Sequence, residues 1–359
     1  MVRIGVIGTK WGLMHVGAFR AAGAEVTALC GQNPDNTRAV AAREGIPLAT
    51  TDVRELCAAV DAVVVASSDA AHRAHMEMAL NAGRPVLCEK PLTRTAEQAR
   101  ALLAHARSAT SPFAREKPLP RTAEEARALQ VHAGPVAVNF PYRMLPSLRA
   151  LKAWLSERPV RHLALTLRNG FAVDEGDSAG PLLGASGDWG GMSHVIDAAL
   201  WLAGAAPVWV QASLSGRPVH TAALHVGLSS GAVLVLTHAA CPEPGIHGGW
   251  TLLGRGWEAG FSGGYVPLRE GWCVSPVRGF EHGTWRDVAP GLEPRPGERE
   301  PWAQAHVEGA RRFLGLLRGE PRDGLATLDD GATVQEVLAA AMVSEETGRR
   351  VHLESRSGA

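Results

Sequence analysis

The sequence predicts an α/β fold in two parts: an N-terminal doubly wound parallel sheet of the Rossmann type, then a C-terminal α+β domain with an open, mostly antiparallel sheet. Before residue 140, short apolar runs alternate with helical stretches, as in a parallel sheet joined by crossover helices. After residue 160, strand-like runs follow one another with only short turns, which is typical of antiparallel pairing. A chain of 359 residues is also long for a single core.

The first domain is placed at residues 1–138. Apolar runs without alternation predict strands that are covered on both faces. These runs lie at 2–7, 25–30, 61–66, 85–88 and 135–140. Helical stretches separate them, and the stretch at 70–82 ends at Asn81-Ala-Gly83, a plausible helix stop.

The second domain is placed at residues 139–359 and opens with a helix at about 146–156. Its strands are predicted at 160–170, 206–215, 219–228 and 231–240, with a helix at about 192–202 among them. The segment 244–286 is rich in glycine and tryptophan; it should continue the sheet, but its strands cannot be located from the pattern. Helices at about 301–317 and 328–347 end the fold, and residues 354–359 are expected to be disordered.

Composition favours a cytoplasmic protein that binds neither nucleic acid nor a membrane. Lys plus Arg equals Asp plus Glu at 36 each, so no basic field is predicted. No window approaches the roughly 18 apolar residues that span a bilayer. The first strand follows Met1 directly and leaves no room for a signal peptide. The five cysteines lack paired metal-ligand spacing and are expected to be reduced thiols.

A glycine turn follows the first strand. Gly8-Thr9-Lys10-Trp11-Gly12 resembles the dinucleotide fingerprint G-x-G-x-x-G, but Lys10 stands where the second glycine is expected and the turn is one residue shorter. Gly8 still permits the tight turn, and the next helix offers N–H donors to a pyrophosphate. The lysine either adds a cation beside the phosphates or crowds them. The turn predicts NAD or NADP; the alternative is a Rossmann-type fold that no longer binds a dinucleotide well.

The end of the second strand leaves the choice between NAD and NADP open. An acidic residue there would bind the ribose hydroxyls of NAD, and an arginine would accommodate the phosphate of NADP. This chain has the neutral Gln32, followed by Asp35 and Arg38, whose charges favour opposite answers.

A lysine emerges at the end of the strand at 85–88, in the sequence Glu89-Lys90-Pro91. Pro91 lacks an N–H and disfavours helix at the residue before it, so the chain stays extended at Lys90. The carboxyl ends of strands in an open parallel sheet face the ligand crevice. Lys90 is therefore placed for chemistry.

The segment that contains this lysine occurs twice. Residues 89–102 recur as 116–129 with twelve of fourteen positions identical, which indicates a local tandem duplication inserted near 91–133. Only the first copy follows a predicted strand, because residues 108–115 lack the apolar character of 85–88. We therefore assign the active lysine to Lys90 and expect Lys117 to be a surface residue.

Several motifs together resemble the Gfo/Idh/MocA family (glucose-fructose oxidoreductase and inositol dehydrogenase). They follow in order over nearly the whole chain: the valine-rich strand at 61–66, Val86–Leu92, Asn139-Phe-Pro-Tyr-Arg143, Ser193-His-Val-Ile-Asp197, and Ala326–Gly331 with the helix after it. The resemblance implies an NAD(P)-dependent oxidoreductase that transfers a hydride between nicotinamide and a secondary alcohol or ketone of a sugar, cyclitol or related molecule. It also implies a homodimer or homotetramer formed through the C-terminal sheet. Some relatives are regulators, so the alternative is a non-catalytic nucleotide- or sugar-responsive binding protein.

The resemblance also suggests site residues. Family enzymes pair the lysine with D-x-x-x-H-x-x-D, and here His194 and Asp197 match its last two positions while Gly190 replaces the aspartate. Asp188 is the substitute candidate, since Gly190 and the next glycine can bend the chain. The implied catalytic residues are Lys90, His194 and Asp188, and the implied substrate residues are Tyr142, Arg143 and Asp197. Expected cofactor contacts are Gly8, Thr9, Lys10, Trp11, Gly12, Gln32, Ser67, Ser68, His72 and Glu89.

Two further features keep open interpretations. His72 and His75 form H-x-x-H, but a metal would need a third and a fourth ligand that the sequence does not offer nearby, so no metal is predicted. Ten tryptophans against two tyrosines suit either sugar stacking or the filling of a sheet face or a subunit interface.

Overall fold

The computed structural model describes residues 1–110, 135–170, 190–215 and 221–354. The chain forms two compact units. Unit 1 comprises Met1–Phe140 and His306–Ala332, and unit 2 comprises Pro141–Ala305 and Thr333–Ala359. The sequence-based division put everything after residue 138 in the second domain, whereas residues 306–332 group with the first unit.

Unit 1 is built on a six-stranded, all-parallel sheet in the order β3-β2-β1-β4-β5-β6. The strands are β1 (Arg3–Ile7), β2 (Glu25–Cys30), β3 (Leu48–Thr50), β4 (Ala62–Val65), β5 (Val86–Cys88) and β6 (Val136–Val138). The helices of its first part are α1 (Gly12–Ala21), α2 (Pro34–Glu44), α3 (Val53–Ala59), α4 (Asp69–Asn81) and α5 (Ala96–Thr110). This is the doubly wound Rossmann order, as predicted, although the three-residue β3 was not foreseen.

The burial of the strands of unit 1 explains why they could be recognised from the sequence pattern. All four residues of β4 are completely buried, so each face of the sheet is covered and the strand has no polar alternation. The strand order reverses between β1 and β4, and ligands of open α/β sheets bind at this switch point, outside the carboxyl ends of the strands.

Unit 2 contains a ten-stranded sheet in the order β15-β14-β12-β11-β7-β10-β9-β8-β16, with β13 paired to β12. Among its described strands, β7 and β10 pair in parallel and the other pairs are antiparallel, which confirms the predicted sheet type. Its strands are β7 (His162–Asn169), β8 (Pro207–Ser215), β9 (Thr221–Leu228), β10 (Val233–Ala240), β11 (Ile246–Leu253), β12 (Trp257–Val266), β13 (Gly271–Val274), β14 (Val277–Glu281), β15 (Thr284–Ala289) and β16 (Val351–His352).

Strands β11 to β15 account for the glycine- and tryptophan-rich segment, so it does continue the sheet. The helices of the second half of the chain are α6 (Pro146–Trp154), α7 (Gly190–Ala203), α8 (Pro301–Leu317) and α9 (Leu328–Thr347). Within the described part of the chain, no helix is long and apolar enough to cross a membrane. The second copy of the duplicated motif, at 116–129, and the tail at 355–359 lie outside the described residues.

Candidate active site

The glycine turn after β1 requires glycine at its first position. Gly8 has φ of 128°, and a Cβ added there would lie 2.2 Å from the carbonyl oxygen of Ala66 at the end of β4. Its N–H donates to the carbonyl oxygen of Cys30 at the end of β2. The turn is therefore packed against the ends of both neighbouring strands, at the switch point of the sheet.

Helix α1 begins directly after this turn with its N-terminus uncapped by a side chain. Trp11 is the N-cap residue and makes no side-chain cap, and the first helical turn carries no acidic residue. Gly12 lets the helix approach β1 closely, since a Cβ there would lie 2.9 Å from a methyl of Val6. The helix end thus offers N–H groups and a positive dipole end to an anion, while Lys10 is exposed beside it.

The end of β2 carries no unbalanced charge. Gln32 is exposed, and Asp35 and Arg38 pair with each other across a distance of 2.5 Å on the surface of α2. Thr9 of the glycine turn accepts a hydrogen bond from the Asn36 side chain at 3.1 Å, which ties the turn to this helix. The geometry here favours neither NAD nor NADP.

A buried histidine links the ends of β4 and β5. The two ring nitrogens of His72 lie 2.8 Å from the carbonyl oxygen of Pro91 and 3.0 Å from that of Ser67. Carbonyl oxygens only accept, so both contacts are hydrogen bonds only when the ring carries two protons. The pKa of the neighbouring His75 is lowered, mainly by burial and then by His72. Ser68 is the N-cap residue of α4 and is exposed.

The carboxylate of Glu89 is the centre of a buried cluster. Its Oε1 accepts a hydrogen bond from Asn139 Nδ2 at 2.6 Å and lies 2.7 Å from Nε2 of His15 and 3.9 Å from Nε2 of His306. Its Oε2 accepts the backbone N–H of Lys90 at 3.1 Å. The pKa of Glu89 is held well below its usual range: burial acts to raise it, but His15, His306 and Lys90 together outweigh that effect.

Lys90 stands half-buried at the carboxyl edge of the sheet, directly after this carboxylate. The following peptide bond to Pro91 is cis. The predicted position of the lysine at the end of a parallel strand is thus what the structure shows for β5. Lys117, its counterpart in the second copy, lies outside the described residues.

In unit 2, Arg143 and Asp197 form a buried bidentate ion pair. The guanidinium donates to the two carboxylate oxygens at 2.7 and 2.9 Å, and both side chains are almost completely buried. Arg143 lies on the 3₁₀ turn Pro141–Met144, and Asp197 lies on α7, so the pair fixes this turn against the helix. A role of either residue in substrate binding stays a prediction.

His194, one turn from the start of α7, lies in an aromatic cluster. Its ring makes edge contacts with Trp302, at a centroid distance of 5.3 Å, and with Tyr142, at 6.1 Å. Tyr142 is buried, which raises the pKa of its hydroxyl. The aspartate candidate Asp188 lies outside the described residues, which resume at Gly190.

One carboxylate organises two tryptophans of this cluster. Glu300 accepts hydrogen bonds from the backbone N–H groups of Trp272 on β13 and of Trp302 and Ala303 at the start of α8. The indole rings of Trp272 and Trp302 stack at 4.5 Å, and both contact Tyr142 edge-on. The cluster therefore places a stacked pair of indole rings beside His194.

Three residues of the buried cluster in unit 1 were missed by the sequence analysis: His15, Asn139 and His306. His15, Glu89 and His306 each offer one donor atom within 4.8 Å of the others, which is a possible metal-binding arrangement. They are 74 and 217 residues apart along the chain, so no local spacing reveals them. The only available signal was a histidine one turn into the helix that follows the glycine turn.

Comparison with known proteins agrees with this geometry. Residues 2–116 match the family model described as "Oxidoreductase family, NAD-binding Rossmann fold", GFO_IDH_MocA. The N-terminal part of the chain is therefore similar to the Gfo/Idh/MocA family. This similarity covers the glycine turn and Glu89-Lys90-Pro91.

Two curated proteins are similar to this N-terminal part. Inositol 2-dehydrogenase 1 of Saccharopolyspora erythraea is 44% identical over 110 residues, which cover 29% of this chain and 33% of that protein. The 1,5-anhydro-D-fructose reductase of Ensifer adhaerens is 38% identical over 109 residues, which cover 27% and 33%. Each alignment thus spans about a third of the relative's length.

The likeness in fold extends over the whole chain. The structure of levoglucosan dehydrogenase in complex with NADH and levoglucosan superposes with a TM-score of 0.77, at 18% identity, and covers 99% of this chain and 100% of that one. At this identity the likeness concerns the fold alone. It agrees with a Rossmann unit followed by a large, mostly antiparallel sheet.

Proposed function

We propose that this protein is an NAD(P)-dependent oxidoreductase that transfers a hydride between nicotinamide and a secondary alcohol or ketone of a sugar, cyclitol or related small molecule. One observation carries the proposal. The glycine turn and the Glu89-Lys90-Pro91 motif end strands β1 and β5, which flank β4 in the same parallel sheet. Both lie in the segment that matches the family model of NAD-binding oxidoreductases.

The residues of the turn fit a dinucleotide. Gly8 removes the Cβ that would block the turn, and the uncapped N-terminus of α1 provides N–H donors for the pyrophosphate. Lys10 adds a positive charge to the same region, and Ser67 and Ser68 come soon after the end of the neighbouring strand β4. Because the end of β2 carries no unbalanced charge, the proposal covers both NAD and NADP.

The chain's own residues would supply orientation and proton transfer. The ammonium of Lys90 would hold the carbinol oxygen by hydrogen bonding and favour its deprotonation through its charge. His194, whose side-chain type titrates near neutral pH, would take the hydroxyl proton during oxidation and return it during reduction. The bound nicotinamide supplies or accepts the hydride. In the oxidation direction the carbinol group thus loses a hydride and a proton and becomes a carbonyl.

The two units would divide these tasks. Unit 1 would bind the dinucleotide, and unit 2 would bind the substrate through Tyr142 and the aromatic cluster beside His194. Stacked indoles suit the C–H faces of a sugar or cyclitol ring. We also propose assembly into a homodimer or homotetramer through the large sheet of unit 2.

Nucleotide binding and turnover test the proposal directly. Titration of the purified protein with NADH and NADPH should show binding of at least one of them. Turnover should then appear on a panel of keto-sugars and cyclitols that includes inositols, 1,5-anhydro-D-fructose and levoglucosan. Binding without turnover on the whole panel would favour a nucleotide-responsive binding protein, and absence of binding would contradict the proposal altogether.

The duplicated lysines provide a matched pair of variants. Lys90→Ala should lower kcat by about 10²–10⁴-fold at unchanged folding, the range expected for loss of a group that assists proton transfer. Lys117→Ala removes the same side chain from a nearly identical sequence context and should leave turnover within a few-fold. The opposite pattern would show that the second copy carries the active lysine.

A further inference from the structure

The buried carboxylate of Glu89 connects four elements of unit 1. Glu89 follows β5, Asn139 follows β6, His15 lies on α1, and His306 lies on α8. The relative exposures of Glu89, His15 and His306 are 3%, 1% and 2%, so none of the three has access to bulk water. A charge in such a place is stable only when the surrounding groups compensate it.

The clustering of these three side chains has two explanations: they bind a metal ion, or they form a hydrogen-bonded network. Two histidines and a glutamate are a known zinc donor set. However, Oε1 of Glu89 lies within hydrogen-bond distance of both Asn139 Nδ2 and His15 Nε2, at 2.6 and 2.7 Å. Two ligands of a tetrahedral zinc ion would be separated by roughly 3.3 Å, given bond lengths of about 2.0–2.1 Å. The short His15 distance and the competing amide donor favour the network.

His306 is the member of this network that faces the glycine turn. Its ring contacts the ring of Trp11 edge-on at 5.9 Å and that of His15 at 5.6 Å. Trp11 is 47% exposed at the N-terminus of α1, where the pyrophosphate is proposed to bind. A continuous path of contacts therefore runs from Trp11 through His306 to Glu89, and from the other carboxylate oxygen to the backbone N–H of Lys90.

We infer that His15 and His306, acting through Glu89, are positioning residues for Lys90 and couple the lysine to the glycine turn. This rests on the proposed function, because it assigns the histidines a purpose only if Lys90 takes part in the reaction. Neither histidine is assigned a contact with the reacting atoms. The titratable groups that face the carboxylate are His15, His306 and Lys90, and the Cys88 thiol lies on the same strand end.

Substitution of His306 separates this inference from general packing. His306→Leu removes the polar partner, and His306→Gln keeps an N–H donor of similar reach. His225→Gln, on the exposed face of β9 in unit 2, is the control. In the leucine variant we expect kcat to fall about tenfold or more with KM within threefold, where tenfold in rate corresponds to a transition-state contribution of about 1.4 kcal/mol. We expect the glutamine variant to recover most of this loss, because it keeps the N–H donor.

Chemical labelling of Lys90 gives a readout that does not need a substrate. In the ligand-free protein, reductive methylation of Lys90, followed by mass spectrometry, should slow at least threefold in His306→Leu. The physical reason is that a carboxylate that has lost a polar partner draws the Lys90 ammonium toward itself. The rate should return toward that of the parent protein in His306→Gln and should not change in His225→Gln.

The outcomes distinguish the two proposals. Unchanged labelling and unchanged kcat in His306→Leu would overturn the positioning role while the oxidoreductase proposal stands. A parent protein without turnover whose Lys90 labelling still depends on His306 would support the cluster and contradict the activity. Titration with Zn²⁺ and Co²⁺ tests the remaining alternative. If the parent binds one equivalent tightly and His306→Leu does not, the cluster is a metal site and the network interpretation is wrong. If the parent binds neither metal tightly, the result supports the hydrogen-bonded network.

Discussion

At the scale of single residues, the charge of Glu89 governs the candidate site. A carboxylate that is fully buried would normally be neutral, because burial disfavours the charged form. Here the neighbouring hydrogen-bond donors and positive groups hold its pKa below the usual range. The part of the cluster's stabilisation that depends on this charge is therefore present only while the carboxylate is ionised.

This yields a prediction for Glu89→Gln. The variant keeps the shape but loses a charged acceptor, so the free energy of unfolding at pH 7 should fall by roughly 1.5–3 kcal/mol, the value of hydrogen bonds to a charged group. The folded-state pKa lies below the ordinary value of 4.5, so the contribution is complete above about pH 4.5 and shrinks as the pH falls further. Urea unfolding at several pH values should show the two proteins converging in acid; a constant difference would contradict the assignment.

The residues of this cluster also show which parts of the site could be predicted from the sequence and which could not. Glu89 and Lys90 were predicted to lie at a strand end because a local pattern, an apolar run closed by proline, places them there. His15 and His306 reach the same carboxylate from helices that are separated by most of the chain. Only tertiary packing brings them together, and a single sequence carries no record of that contact.

At the scale of elements, the glycine in the turn before α1 and the glycine within α1 differ in whether a side chain could be accommodated. Gly8 has a positive φ and no room for a Cβ. Gly17 lies in α1, is exposed, and a Cβ there would meet nothing within 4 Å. Alanine should therefore have opposite effects at the two positions.

Gly8→Ala should destabilise unit 1 by at least roughly 1–3 kcal/mol from backbone strain alone, and more from the clash with Ala66, and it should abolish nucleotide binding. Gly17→Ala should stabilise the protein by about 0.5–1 kcal/mol, because glycine costs that much in a helix. Thermal unfolding and NADH titration of both variants provide the measurement. If Gly8→Ala bound NADH like the parent, the turn would not be the phosphate site.

Lys10 gives a prediction about the same turn. The lysine replaces a glycine of the usual fingerprint but adds an exposed positive charge near the proposed pyrophosphate site. If the charge compensates for the lost backbone approach, nucleotide affinity should fall with salt, since screening over about 10 Å at 0.1 M weakens that interaction. Lys10→Gly should flatten the salt dependence without abolishing binding. Strong binding that appears only in Lys10→Gly would mean that the parent's turn is blocked.

The helices and strands that could be predicted from the sequence are those long enough to show a clear pattern of buried residues. Buried parallel strands such as β4 are uninterrupted apolar runs, and the long C-terminal helices have clear boundaries. The short β3 and β16 carry too few residues for a pattern. In β11 and β12, glycines occupy positions where side chains would mark the face of the sheet, as at Gly264, where a Cβ would lie 1.7 Å from a carbonyl oxygen of the paired strand.

At the scale of the whole molecule, the two units are each assembled from separated parts of the chain. Residues 306–332 belong with the N-terminal unit, in which Ala326 bridges to Val138 of β6. A single domain boundary predicted from the sequence cannot describe a unit that is made of two separate segments of the chain. Helices α8 and α9 each begin in one unit and end in the other, so changes in their composition give no boundary signal.

The tandem duplication provides the prediction at this scale. Deletion of residues 91–117 joins Lys90 to Pro118, so that the second copy takes the place of the first. The positions of α5 that are buried in unit 1 would then be filled from the second copy. Ala96, Ala99, Leu102, Leu103 and Ala106 would be replaced by Ala123, Ala126, Leu129, Gln130 and Ala133.

Four of these five buried positions keep their residue, so the shortened chain should fold and retain the activity of Lys90. The exchange of Leu103 for glutamine places an amide in an apolar site, which should cost roughly 1–3 kcal/mol. A second exchange puts Pro120 at the position of the buried Thr93. The deletion that also carries Gln130→Leu and Pro120→Thr should therefore recover most of the stability of the parent. Urea unfolding, NADH titration and turnover of the two deletion proteins test this: an unfolded product from the repaired deletion would show that residues 91–117 are an essential part of unit 1 that the second copy cannot replace.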